Sequence, residues 1–196
     1  MKTIVFAAGF VLATSAFAAD PKAPATPAKA ATPPAAAADA APPPPAPELD
    51  ANMKGSVGTW KCDGGAPDSP FGKAHPVKAE MTFKSDLNGY WYFMRYEEKK
   101  TKENPMPYVM AATIGFDPGK KQLLRTDVDG MGMVTHLSSK GWEGDKIVWA
   151  GEVMGPQKML FKETISRKGD KETASVLEMS GPDGKFALLA ELNCKK

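Results

Sequence analysis

The chain has 196 residues, with 25 lysines and arginines against 23 aspartates and glutamates, so its formal net charge at pH 7 is +2. The basic residues are scattered rather than gathered in an arm or a stripe, and the sequence therefore predicts no nucleic-acid partner. This length allows one or two domains, and the composition of the first fifty residues reduces the expectation to one.

Residues 1–19 have the three-part pattern of a secretory signal peptide. An early Lys2 precedes an apolar run over residues 4–12, and small residues follow up to Ala18. The apolar run is too short to span a bilayer, and no later run is long enough, so no transmembrane segment is predicted. We expect the mature protein to be soluble and exported, either to the periplasm or outside the cell.

Residues 20–50 consist almost entirely of alanine and proline, with four consecutive prolines at 42–45. The segment lacks the aromatic and branched side chains that bury a core, which predicts a disordered linker or tether. The folded domain is therefore predicted to span residues 51–196.

From Ala51 onward, segments rich in aromatic and β-branched residues alternate with glycine, proline, aspartate and asparagine. Asn-Gly at 88–89 and Asp-Gly at 129–130 and 183–184 favour hairpin turns, and no segment has a clear helical pattern. Strands are predicted over residues 57–62, 77–84, 90–98, 108–116, 122–128, 131–138, 146–154, 158–167, 173–180 and 185–194. The fold class is all-β, an antiparallel meander of about ten strands that closes into an up-and-down barrel without exposed edges.

The two cysteines lie on the first and last predicted strands. In an exported protein an isolated pair of cysteines favours a disulfide over a metal site. Closure of the barrel makes the first and last strands neighbours, so Cys62 and Cys194 are expected to be bonded, with Cα atoms within about 7 Å. The alternative is a pair of free, buried thiols.

Several motifs in the strands and turns resemble a known family. They are Gly58-Thr59-Trp60, Leu87-Asn88-Gly89, Ile114-Gly115-Phe116-Asp117, Asp129 with Met131-Gly132-Met133, and Glu178-Met179 before Asp183-Gly184-Lys185. Together they resemble a bacterial family of unknown function described as lipocalin-like, over most of residues 55–194. The first motif is similar to the G-x-W of calycin proteins such as lipocalins and fatty-acid-binding proteins. The resemblance implies a calycin-type barrel and brings no established activity.

Two better-characterised groups of barrels bind ligands through residues that this chain lacks. Heme-binding barrels of the nitrobindin type use a histidine near the end of the barrel, and no histidine follows His136. Fatty-acid binders use an Arg-x-Tyr near the C-terminus, where this chain has Glu191-Leu192-Asn193-Cys194. No cofactor is therefore predicted.

The third predicted strand suggests a ligand site. Alternation puts Trp91, Phe93 and Arg95 on one face and Tyr90, Tyr92, Met94 and Tyr96 on the other. An inward arginine above aromatic walls would suit a small apolar or anionic ligand. The predicted ligand-binding residues are Trp91, Phe93, Arg95, Trp149 and Phe161. In the alternative, aromatic side chains fill the core and Arg95 pairs with a carboxylate such as that of Glu152 or Glu163.

Metal sites have weaker support. Met131 and Met133, with His136, Met154 or His75, would be a soft site for copper(I), but parity puts His136 on the other strand face. Residues 127–130 resemble the start of a calcium loop, although the remaining ligands are missing, and a hairpin turn explains them better. No metal site is predicted.

Catalytic motifs are missing from the sequence, so we do not expect an enzyme. The carboxylates of Glu152, Glu163 and Glu178 could face inward, but their separations cannot be read from the sequence. The favoured function is binding of a small apolar or anionic ligand inside the barrel. The alternatives are a filled structural or interaction barrel with a tether, whose protein partner the sequence does not identify, and an uncharacterised enzyme. The volume and polarity of the barrel interior distinguish ligand binding from the filled barrel.

Overall fold

Strands account for most of the folded chain. The computed structural model describes residues 42–157, 159–181 and 183–196, so the predicted signal peptide and the predicted linker up to residue 41 lie outside the described residues. The strands are β1 Gly58–Ala66, β2 His75–Asp86, β3 Trp91–Glu98, β4 Val109–Asp117, β5 Gln122–Asp129, β6 Val134–Ser139, β7 Trp142–Glu143, β8 Lys146–Met154, β9 Met159–Gly169, β10 Glu172–Ser180 and β11 Phe186–Lys195. Each of the ten predicted strands has a counterpart, although the predicted start of β9, residue 158, is not described. The two-residue β7 was not predicted.

The strands form one closed antiparallel sheet. Each long strand pairs with the next one along the chain, and β1 pairs with β11. Strand β8 has two partners on the side that faces β5. Its second half pairs with β6, and its first two residues pair with the short β7. The predicted all-β up-and-down meander barrel is confirmed, with ten long strands around the circumference.

A disulfide joins the first and last strands. Cys62 and Cys194 lie directly opposite each other in the β1–β11 register, with their Cα atoms 4.0 Å apart. Both residues are buried. The predicted pairing is confirmed, and the alternative of two free thiols is wrong.

The barrel has two unlike ends. At the end where β1 begins, a short helix α1, Pro47–Met53, and a 3-10 turn, Lys54–Ser56, precede the sheet; we call this the capped end. The opposite end carries the β1–β2, β3–β4, β5–β6, β8–β9 and β10–β11 connections, and we call it the loop end. Among the described residues, no helix is long and apolar enough to cross a membrane.

Helix α1 was not predicted. Pro47 at its start and acidic residues in its first turn favour helix initiation, and Leu49 and Met53, four residues apart, are buried. A helix of seven residues is not stable alone in water, so packing against the barrel must hold it. The folded unit begins at Pro43, earlier than the predicted domain boundary at Ala51, because these two apolar side chains anchor the preceding residues.

Polar contacts fix α1 on the barrel. The side-chain oxygen of Asn52 accepts a hydrogen bond from the Trp142 backbone at 2.9 Å, and the Trp142 indole donates to the Asn52 carbonyl at 3.0 Å. The Tyr92 hydroxyl donates to Asp50 at 2.8 Å. Gly141 adopts φ +94°, and a Cβ there would lie 2.4 Å from the Asn52 side chain. Only glycine permits this close contact.

Inward side chains fill the barrel. The buried apolar residues include Trp60, Ile114 and Trp149. At Gly64 and Gly151 an added Cβ would lie 1.9 Å from a carbonyl oxygen of the neighbouring strand. These strand glycines therefore allow close backbone approach, as glycine does where sheets bend sharply.

Reduction of the disulfide tests the closure. We expect reduction to lower the free energy of unfolding by about 2–5 kcal/mol while the barrel still forms, because the bond mainly restricts the unfolded chain. Thermal unfolding with and without reductant measures this loss. The double variant Cys62→Ala/Cys194→Ala should match the reduced protein and not respond to reductant. Finding two free thiols in the denatured, unreduced protein would contradict the bond.

Tyr92 predicts a loss of stability at alkaline pH. Burial, followed by the hydrogen bond to Asp50, raises the pKa of Tyr92 from 10.0 to about 12. The folded state thus favours the neutral phenol. The contribution of neutral Tyr92 to the free energy of unfolding is therefore complete below pH 10 and is lost as the pH rises towards 12. Tyr92→Phe should cost about 1 kcal/mol at pH 7 and should flatten the decline in melting temperature above pH 10. Equal slopes in the two proteins would contradict this role.

Candidate functional site

The structure places three predicted ligand-binding residues on the outside of the barrel. Trp91 is 39% exposed and Arg95 is exposed, while Phe93 is half-buried. The Trp91 ring covers Gly115 of β4, where an added Cβ would lie 2.6 Å from it. The guanidinium of Arg95 pairs with Glu97 at 2.7 Å on the same outer face. The prediction that Trp91, Phe93 and Arg95 face inward is wrong.

The opposite face of β3 lines the interior. Tyr92, Met94 and Tyr96 are buried, and the hydroxyl of Tyr96 donates to Glu98 at 3.3 Å. Alternation along a strand separates its residues into two faces but does not say which face is inside. Here the tyrosines find polar partners for their hydroxyl groups inside, whereas the arginine remains solvated outside. The alternative that Arg95 pairs with a carboxylate is confirmed, although its partner is Glu97 rather than Glu152 or Glu163.

The other two predicted ligand-binding residues face inward. Trp149 is buried, and Phe161 is half-buried and lies opposite Gly151 of β8 and Met179 of β10. The five predicted residues are therefore not brought together at one site.

A buried ionic cluster occupies the interior instead, and its centre is Arg125. The Arg125 guanidinium donates to both oxygens of Asp127, at 2.7 and 2.9 Å, and to Glu163 of β9 at 2.5 Å. Its central carbon lies 5.8 Å from the centre of the Trp149 ring. Arg125 and Asp127 are each 5% exposed, and Glu163 is 9% exposed. The cluster is therefore almost completely removed from water.

The cluster has one cation and two carboxylates. Burial acts to lower the pKa of Arg125, but Asp127 and Glu163 outweigh it and raise that pKa above its ordinary value. The arginine therefore stays charged, and its strongest donors are engaged by protein carboxylates. The three side chains together carry a formal charge of −1, which disfavours an additional anion.

A second polar group lies between the cluster and the loop end. Glu98 accepts hydrogen bonds from the Asn104 side chain at 2.8 Å and from the Tyr108 backbone at 2.9 Å, and so holds the β3–β4 loop. Burial raises the pKa of Tyr96 and of Tyr108 well above the usual tyrosine value, with nearby carboxylates adding to the effect. Both phenols are therefore neutral at physiological pH.

The space left beside the cluster is small. A cavity of about 40 Å³ is lined mainly by apolar side chains, together with Arg125 and Glu163, and Met53 of α1 lies against it. A buried water needs roughly 10–15 Å³ on a comparable measure, whereas ligand pockets for drug-sized molecules measure roughly 300–1,000 Å³. This cavity has room for a few water molecules only.

A larger depression lies on the outside of the barrel. It measures about 470 Å³ and lies where β6 gives way to β7, beside Gln122, Ser138, Lys140 and Lys146. It is open to solvent, and most of the residues that line it are polar or charged, unlike those of the interior cavity.

The residues considered for metal binding are dispersed. Met131 and Met154 are exposed, and His136 lies on the outer surface with its Nδ1 3.1 Å from the Thr126 hydroxyl. Within the described part of the chain, no group of three or more histidine, cysteine, aspartate or glutamate residues is arranged to hold a metal ion. Asp129 instead accepts hydrogen bonds from the Met131 and Met133 backbones. The interpretation of this segment as a hairpin turn is confirmed.

The three carboxylates considered for catalysis occupy different environments. Glu163 belongs to the buried cluster, and Glu152 is exposed on β8. Glu178 pairs with Lys162 across β9 and β10 at 2.6 Å. They do not form a shared acid–base arrangement.

Sequence reasoning missed Arg125. The order Leu123-Leu124-Arg125-Thr126-Asp127 puts Arg125 and Asp127 on the same strand face as the apolar Leu123, which is the only local indication of an inward ion pair. Glu163 is 38 residues away from Arg125, so its role depends on the closure of the sheet.

Residues 48–196 match a family described as Protein of unknown function (DUF1579). The chain belongs to this family. The match starts inside α1, so the DUF1579 region of the chain includes most of the helix together with the barrel. A comparison with curated proteins gives no significant match.

The barrel of this DUF1579 chain is similar to a solved structure, that of Rv2717c from M. tuberculosis. The TM-score is 0.61 at 14% sequence identity, and the alignment covers 78% of this chain and 98% of the other. At this identity the likeness supports the fold alone.

Replacing Arg125 tests the ionic cluster. Arg125→Met should destabilise the protein by about 3–5 kcal/mol at pH 7, because Asp127 and Glu163 would remain buried without a cation. The matched variant Arg95→Met removes an exposed ion pair and should cost at most about 1 kcal/mol. Urea unfolding measures both changes.

A triple variant separates charge from packing. Arg125→Met/Asp127→Asn/Glu163→Gln removes all three charges and should recover part of the stability lost in Arg125→Met. If the single variant matched wild type at pH 7, the cluster would have no structural role.

Proposed function

We propose that this DUF1579 barrel is an exported interaction module with a filled interior and no catalytic activity. The observation that carries the proposal is the interior itself, where the cavity beside Arg125 measures about 40 Å³. Helix α1 covers one end of the barrel with buried Leu49 and Met53. A protein of this construction acts through its outer surface.

The electrostatics of the interior argue against an anionic ligand there. The guanidinium of Arg125 already binds two carboxylates, and the cluster has an excess negative charge. An entering anion would have to displace Asp127 or Glu163 within a site of low dielectric constant, where an unpaired carboxylate is costly.

The disulfide and the N-terminal sequence support the proposed location. The Cys62–Cys194 bond closes the sheet and favours an oxidising compartment. Residues 1–19 have the composition of a signal peptide. Both features support export to the periplasm or beyond.

A second candidate function, carriage of a small apolar ligand, has one observation in its favour. Phe161, Leu177 and Ala190 face inward on adjacent strands yet are only partly buried against the core. An apolar molecule entering from the loop end would meet these side chains first. It would still have to displace core residues to occupy the interior.

Ligand screening tests the proposal against this alternative. A ligand present at one hundred times its Kd stabilises a protein by about 2.7 kcal/mol, which raises the melting temperature by several degrees. We expect no such shift with fatty acids, porphyrins or aromatic acids, and no bound molecule in native mass spectrometry. A co-purified small molecule, or a clear shift, would overturn the filled-barrel proposal.

A cavity variant shows that the assay can detect interior binding. Ile147 is buried and lies against the cavity, so Ile147→Ala should enlarge it at a cost of about 2–5 kcal/mol. Benzene should then stabilise the variant but not the wild-type protein, since the enlarged cavity would be lined mainly by apolar side chains.

A further inference from the structure

The loop end presents exposed apolar side chains on five separate connections. Met106, Met131 and Met154 are 87%, 69% and 55% exposed, and Phe186 and Phe71 are 43% and 37% exposed. Each lies in or directly beside a different connection between strands. We call these five residues the apolar rim.

Neighbouring glycines and prolines leave most side chains of the apolar rim projecting into solvent. Phe71 lies between Pro70 and Gly72, Met106 lies between two prolines, and Met131 lies between two glycines. Met154 is followed by glycine and proline. Glycine and proline carry little side chain that could cover a neighbour, so these apolar groups stand out at the tips of their turns.

An apolar strip continues the rim down one side of the barrel. Val128 lies opposite Val134, and Val134 lies opposite Met154, on the outer faces of β5, β6 and β8. Val128 is 50% exposed. Towards the capped end the next row, which includes Thr126 and His136, is polar. On this side of the barrel the apolar strip therefore ends at the loop end, and among the described residues exposed apolar surface recurs towards the capped end only at Val148 of β8.

The loops that carry the rim have an excess of positive charge. Their exposed lysines are Lys73, Lys99, Lys100, Lys102 and Lys185, and their exposed carboxylates are Asp68, Glu103 and Asp183. Lys73 and Lys185 have only exposed partners, at 3.6 and 3.9 Å. Among the described residues, the three lysines of the β3–β4 loop form no ion pair.

From these features we infer that the loop end docks on an anionic lipid bilayer. The inference rests on the proposed function, in which the barrel acts through its surface. A bilayer accepts separate apolar tips around a ring, because its interface deforms around each one, and lysines beside the tips are attracted to anionic headgroups. A protein partner would instead require a contiguous, closely packed patch at the centre of the contact.

The remaining structure is compatible with this orientation. Pro43, where the folded unit starts, accepts a hydrogen bond from the Tyr90 hydroxyl at the capped end. The described N-terminal residues therefore leave the loop end accessible. Glu98 braces the β3–β4 loop, so Met106 is carried by an anchored segment.

Vesicle flotation of the chain purified after export, with its disulfide formed, tests the inference. We expect binding to phosphatidylglycerol-containing vesicles and at least about tenfold weaker binding to pure phosphatidylcholine vesicles, since the exposed lysines are attracted to anionic headgroups and not to neutral ones. Lys99→Glu/Lys100→Glu/Lys102→Glu should remove most of this difference, and so should 0.5 M salt, by screening.

The apolar rim is tested with matched variants. Met106→Asp/Met131→Asp should weaken vesicle binding at least about tenfold. Leu87→Asp/Val148→Asp makes the same change at exposed positions away from the loop end and should bind as wild type does. All four positions are exposed, so the fold should survive, and circular dichroism checks this.

The outcomes separate this inference from the proposed function. Failure of the wild-type protein to bind anionic vesicles, or equal losses in the two aspartate variants, would overturn lipid docking. Capture of a protein that depends on Met106 and Met131, without vesicle binding, would replace the lipid by a protein partner and leave the interaction module intact. A ligand found inside the barrel would overturn the filled-barrel proposal without affecting the vesicle result.

Discussion

Pairing of β1 with β11 is the constraint on which the rest of the structure depends. It turns a linear meander into a closed sheet with no free edge, and Cys62 and Cys194 make the closure covalent at directly opposed positions. Closure also creates an inside and an outside. Only then do side chains from distant parts of the chain, such as Arg125 and Glu163, converge on a common interior.

The interior is specialised for packing and ion pairing. Arg125 is held by Asp127 on its own strand and by Glu163 from across the barrel, and Trp149 lies beside the guanidinium. Such a cluster can exist in a core because its hydrogen-bonding groups are satisfied. The same saturation removes the cation that an anionic ligand would need.

The two ends of the barrel differ in how far their apolar side chains are exposed to solvent. At the capped end, Leu49 and Met53 of α1 are buried, and Asn52 ties the helix to Trp142. At the loop end, methionine and phenylalanine side chains project into solvent beside lysines. Helix α1 thus covers apolar surface at the capped end, although Leu87 stays exposed there, whereas the loop end presents the most exposed apolar side chains, those of Met106 and Met131.

The sequence by itself determined the strands, the turns, the meander and the cysteine pair, because alternation, turn chemistry and cysteine count are local or compositional properties. It did not determine which face of β3 is inside, since alternation gives Trp91, Phe93 and Arg95 one face without orienting it. Helix α1 was not predicted, because two apolar residues are too few to form a recognisable helical pattern. The helix is stabilised by its packing on the barrel and not by its own sequence. Only the tertiary structure decided that Arg125, rather than Arg95, is the buried arginine, because its second carboxylate lies on another strand and is brought to it by closure of the sheet.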